Sequence, residues 1–273
     1  MDISYILHNT IVYWIIAFIL ARILSHNKYL NFAIGAFLIW ISYIFQSIFA
    51  SGFSINHIVY LLVVFILSYL LDTFIYRSFK HEYIRDLFGF IFTIGFSILV
   101  TNALFYVHGP NPISIDVPRI SNTVLISILV VLQILIYFVY KHTVFWKIAG
   151  GIHENSSVVE TLSIKRSPIN LANTIFSFFL LCIASYVILS SSSLWSWDEI
   201  FYAIKGIGIF IIVWIHRLEY MFVWALLYVM LEHFLFINLW FPLEYKESVI
   251  LFIILVVLIF KPQWIFTFKT RRI

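Results

Sequence analysis

The sequence predicts an all-α fold, a polytopic transmembrane helical bundle of about 8–9 spans with its N-terminus outside and its C-terminus cytoplasmic. Three observations carry this expectation. Of 273 residues 63% are apolar and 11% charged, with a mean hydropathy of +1.01, too little polar surface for a water-soluble fold. Apolar stretches of ~20 residues, the length that a membrane helix needs, follow one another almost end to end. Lys and Arg gather on alternate connections, as cytoplasmic loops require.

The spans are expected at 5–24, 30–49, 57–76, 86–107, 122–144, 170–190, 200–215, 218–237 and 247–262, all within a single transmembrane domain, 1–273. No small-residue cleavage site follows the first, so it reads as a retained span, with the mature chain starting near Met1. The second and fourth carry Asn31, Gln46, Thr93, Ser97 and Asn102, which either bond between helices or line a pathway. Asn31, Thr93, Ser97 and Asn102 are the candidate translocation path. The exterior connections at 51–56, 108–118, 190–199 and 238–247 are short, and Trp195, Trp197 and Trp240 suit a headgroup region. Arg22, Lys28, Arg77, Lys80, Arg85, Lys141, Lys147, Lys165, Arg166, Arg217, Lys261, Lys269, Arg271 and Arg272 fall on one side, and only Arg119 and Lys246 on the other. An error of one span before residue 190 would scatter these charges across both faces. Spread along juxtamembrane groups, they form no basic face for nucleic acid.

Ionisable groups at bilayer depth are expensive unless paired or hydrated. Lys205 and Glu232 lie at similar distances from the outer ends of the seventh and eighth spans, which predicts an intramembrane ion pair, structural or on the translocation path. Asp72, one turn before Arg77, is expected to reach the cytoplasmic interface and pair there.

Several chemistries lack their motifs. His233 adjoins Glu232, and adjacent residues do not share a helix face, so the pair makes a poor metal site. Neither HExxH, nor a GxSxG turn, nor GxxxxGK[ST] occurs, so metalloprotease, serine hydrolase and intrinsic ATPase readings have no support. The chain is expected not to be an enzyme. Cys182 is alone, which excludes an intramolecular disulfide.

One long polar interruption remains, 145–168, on the cytoplasmic side. Phe145 to Ile152 can make two helical turns. Ser157 and Glu160 form a capping box, from which a second short helix should run to Ile164, with Pro168 restarting the chain into the next span. Such a loop either docks a cytoplasmic partner or lies on the headgroups.

This loop resembles the cytoplasmic coupling loop of branched-chain amino-acid ABC transporter permeases of the LivH type, divergent and glycine-poor here. The similar parts are Phe145, a short helix at 146–153, the Glu154-Asn155 turn and a second short helix at 158–164 ending in Ile164. With Lys147, Ser157 and Glu160 these supply the candidate ATPase-coupling residues Phe145, Lys147, Glu154, Asn155, Ser157, Glu160 and Ile164. Other segments are similar in the same order: LNFAIGAFLIWISY at 30–43, LLDTFIYRSFK at 70–80, FIFTIGFSILVTNALFYVHGPNP at 90–112, Lys205, Glu232, and LIFKPQWIF at 258–266. The departures are Ser163 for a usual glycine, Ile34 for a polar residue, and a glycine-free stretch at 209–225. The resemblance implies a membrane-spanning permease subunit of an ABC importer in a bacterial inner membrane, translocating branched-chain or related amino acids. It also implies the partners: ABC ATPase subunits holding ATP and Mg, a sister permease or second copy, an extracytoplasmic substrate-binding protein, and membrane lipid. No cofactor is expected on this chain. A non-transporting membrane scaffold and a polytopic membrane enzyme are the alternatives.

Overall fold

The computed structural model describes residues 3–27, 29–78, 82–109, 120–143, 166–190, 198–213 and 220–238, with the isolated positions 249, 252 and 256. Among these the chain is entirely helical: α1 (Ile3–Asn27), α2 (Ala33–Ser51), α3 (Ile55–Ser78), α4 (Glu82–His108), α5 (Asn122–His142), α6 (Arg166–Leu189), α7 (Asp198–Val213) and α8 (Met221–Asn238). Six of them, α1 to α6, are long and apolar enough to cross a membrane. The first eight expected spans each match a helix, and most of the ninth lies outside the described residues. The 16 described residues of α7 extend ~24 Å by the helical rise. All seven residues assigned to the coupling loop, from Phe145 to Ile164, also lie outside the described residues.

Local chemistry sets the helix ends. At the start of α5 the Ser121 hydroxyl accepts from the Val124 N–H at 3.4 Å. The helices α2 and α4 stop at Gly52 and Gly109, whose φ values of 84° and 80° belong to the left-handed region. The N–H groups of these glycines bond back to the carbonyls of Ile48 and Phe105. Pro168 sits in the first turn of α6, where the leading N–H groups of a helix have no intrahelical partner to lose. Between α2 and α3, Ser54 N–H donates to His57 Nδ1 at 3.0 Å, and His57 Nε2 lies 3.1 Å from Ser47 Oγ, so the imidazole fastens the turn.

The bundle is organised around α1 and α2. The first packs against α5, α6, α7 and α8, and the second against α3, α4, α6 and α7. Trp14, Phe18, Phe37 and Tyr29 are among the largest fully buried side chains. Glycines bring two of these packings very close. A Cβ on Gly35 would lie 2.2 Å from the Glu199 carbonyl oxygen, and one on Gly206 would lie 2.5 Å from Ile16 Cγ2. The first turns of α2 and α7 therefore meet backbone to backbone, and α7 rests on α1. Ser185 of α6 adds a hydroxyl donated to the Leu38 carbonyl of α2 at 2.9 Å. By contrast, α5 buries one stripe, Leu125, Leu129, Leu132 and Ile136, and turns Val130, Val131, Ile134 and Phe138 outward. That pattern suits lipid on the remaining faces.

Candidate functional site

Three polar centres lie inside this apolar bundle. The first fastens the connection between α1 and α2. Tyr29 donates its hydroxyl to Asp72 Oδ1, and Asn31 Nδ2 donates to the same oxygen at 3.2 Å. The other end of the Asn31 amide accepts from the N–H of Ala33, the first residue of α2, at 2.9 Å. Thr93 on α4 completes the arrangement, accepting from the Phe32 N–H at 3.1 Å and lying 3.3 Å from the Leu30 carbonyl. The Tyr29 ring lies flush on Gly89, where a Cβ would come within 2.8 Å of it. Asp72 thus takes partners that its sequence neighbourhood did not name. It is buried and bonded by Tyr29 and Asn31 from a distant stretch of chain. Two hydrogen bonds from the 29–31 connection hold it there.

The second centre joins α1, α7 and α8. Lys205 Nζ lies 3.3 Å from Glu232 Oε1 and 3.1 Å from the Tyr13 hydroxyl, which accepts from it. The ammonium also stands 5.2 Å from the Tyr13 ring centroid, within range of a cation–π attraction. Tyr202 and Tyr228 pack their rings about 6 Å from that of Tyr13. Each charge is therefore desolvated but answered, the condition under which a buried pair persists.

The third centre was not expected. Glu199, which the sequence places in an exterior connection, is only 1% exposed. It stands in the first turn of α7, and its backbone presses on Gly35. Its carboxylate faces the hydroxyls of Ser97 and Thr101 on α4 without closing a bond of good geometry to a described residue. The signal available in the sequence was Asp198-Glu199 behind a serine-rich stretch, the pattern of a solvated helix start.

The four pathway candidates therefore separate. Asn31 and Thr93 spend their side chains on the α1–α2 connection, and Ser97 faces Glu199. Asn102 is exposed and donates to the Ile98 carbonyl of its own helix at 2.7 Å. Among the described residues no cluster of His, Cys, Asp and Glu is arranged to hold a metal ion.

No protein family, no curated protein and no solved structure matches this chain. Its architecture and composition are those of a helical membrane protein. The likeness to the LivH-type permeases stands on the quoted residues alone.

Proposed function

We propose that this chain is the membrane-spanning permease subunit of an ABC importer, in a bacterial inner membrane, for branched-chain or related amino acids. The observation that carries the reading is the pair Lys205 and Glu232: residues similar in place to a lysine and a glutamate of those permeases lie 3.3 Å apart, buried, across α7 and α8. ATP and Mg would be held by partner ATPases, since this sequence contains no phosphate-binding loop. ATPase closure would push the segment 145–164, and the force would rock α5 and α6 to switch access. A sister permease or second copy would complete the membrane unit, and an extracytoplasmic binding protein would deliver substrate.

A second reading, a permease homologue acting as a non-transporting scaffold, is favoured by one observation. Asn31 and Thr93, offered by the sequence for a pathway, are bound to structural partners. Reconstitution of the tagged chain with its copurifying subunits into proteoliposomes separates the two. ATP-dependent uptake of leucine, isoleucine or valine supports the importer. An assembled complex containing an ATPase but showing no uptake of any amino acid supports the scaffold.

A further inference from the structure

The permease reading leaves Glu199 without a task. An ionised carboxylate removed from water is costly unless a cation or several donors answer it. Each element packed around α7 can be checked for such an answer. From α4 come only the hydroxyls of Ser97 and Thr101, and the Thr101 oxygen closes no hydrogen bond to a described residue. On α2 the contact is Gly35, which offers no side chain. Of the other ionisable groups of α7 and α8, Lys205 and Glu232 engage each other and Tyr13 of α1, His233 sets its ring 5.7 Å from that of Tyr5 on α1, and Asp198 is a second acid that supplies no positive charge. On α1, His8 is occupied by the Ser4 carbonyl at 2.7 Å and by Ser190 Oγ at 3.2 Å.

The remaining buried cation of α1, Arg22, lies at the wrong end. Lys205 meets Tyr13 while Gly206 meets Ile16 and Leu20, so α7 runs beside α1 in the same direction. Glu199 precedes Lys205 and is thus directed toward the start of α1, whereas Arg22 is near its close. What partly answers the carboxylate is the positive end of α7, in whose first turn it lies. A helix end supplies about half a charge, screened with distance, so no described group fully neutralises the carboxylate.

We infer that Glu199, with the hydroxyls of Ser97 and Thr101, forms a binding site for a single positive charge in the bundle core, a proton or an alkali-metal cation. A proton converts the carboxylate to a neutral acid that can donate to one hydroxyl. An alkali ion would instead draw on the carboxylate and both hydroxyl oxygens as hard ligands. Either occupant ties the packing of α7 on α2 and α4 to cation concentration. This inference does not depend on the importer reading, because its test needs neither substrate nor ATPase.

The test is infrared difference spectroscopy on the full chain in nanodiscs at neutral pH, free of sodium and potassium, comparing wild type with Glu199→Gln. A protonated-carboxyl C=O band that shifts in D2O and is lost in the variant identifies the proton. If that band is absent, unfolding temperatures decide. A rise of roughly 5 °C at saturating sodium or potassium, present in wild type and lost in Glu199→Gln, identifies the alkali ion. Neither band nor ion-dependent rise overturns the inference. Should Glu199→Gln not assemble, Thr101→Val serves in its place: it keeps the carboxyl but removes one oxygen, and a cation site predicts a shifted band or a weakened ion response. An unaltered spectrum and an unaltered ion response in Thr101→Val would contradict the participation of α4.

Discussion

Glu232 and Glu199 are equally deep, each 1% exposed, and both stand where a helix crosses the apolar core. One faces a lysine ammonium at 3.3 Å, and the other faces two hydroxyls. The contrast shows that depth alone does not determine what a buried acid does. Glu232 meets a fixed partner, and the contact ties α7 to α8. Glu199 has no fixed counter-charge among the described residues, so its charge is left to whatever binds it. The neighbouring groups decide between structural and exchangeable roles.

The largest effect that sharpens this comparison is expected at the paired acid. Lys205→Ala should cost about 3–5 kcal/mol, because it strands Glu232 without its cation. Lys205→Ala combined with Glu232→Ala should lose less than Lys205→Ala alone, as read by unfolding in mixed micelles. Equal loss in single and double variants would mean that the two groups act separately.

Next comes the backbone contact that seats Glu199. Gly35→Ala places a methyl 2.2 Å from the Glu199 carbonyl oxygen, so α2 and α7 must separate. A cost of about 1–3 kcal/mol is expected, measured as a lowered unfolding temperature. A fully tolerated alanine would show that this crossing is looser than described. At the connection between α1 and α2, Tyr29→Phe removes one donor from Asp72 and leaves Asn31, for a loss of about 1–2 kcal/mol. The smallest effect is expected at the unpaired acid itself. Glu199→Gln keeps shape and polarity while removing an uncompensated charge, so its unfolding temperature in sodium- and potassium-free buffer should match or exceed that of wild type. A loss as large as that of Lys205→Ala would erase the distinction between the two glutamates.

Helix positions were legible in the sequence because apolar runs of membrane length leave little freedom in where a helix lies. The first eight expected spans overlap α1 to α8, with shifts of only a few residues at the ends. The Lys205–Glu232 approach was legible too, since counting residues inward from two neighbouring span ends places both at one depth. What the sequence did not disclose is which helix is central. The spans of α1 and α5 are both apolar on average, with mean hydropathies of 1.8 and 2.4, yet 72% of one and 17% of the other is buried within the protein. Lipid is as apolar as a protein core, so hydropathy cannot separate the two surroundings.

The partners of Asp72 and the burial of Glu199 escaped the sequence for a related reason. The neighbours of Asp72 in sequence include Arg77, but its partners are Tyr29 and Asn31, more than forty residues away. Glu199 follows serines and tryptophans that look interfacial, and only Gly35, from another helix, reveals how deeply its turn is packed. Glycine is scarce here, nine in the chain, and its placement was more informative than its number. Gly35, Gly89 and Gly206 each occupy a close contact that a methyl group would disrupt. The glycine-free stretch at 209–225 therefore does not leave this bundle without small-residue crossings.

The proposal that this chain is the membrane half of an ATP-driven importer meets its most direct test in the company it keeps. Affinity purification of the full chain from native membranes in mild detergent, followed by mass spectrometry of the intact complex, should return two ABC ATPase subunits for each pair of permease chains. Recovery of the chain in a stable assembly that contains no ATPase would contradict it.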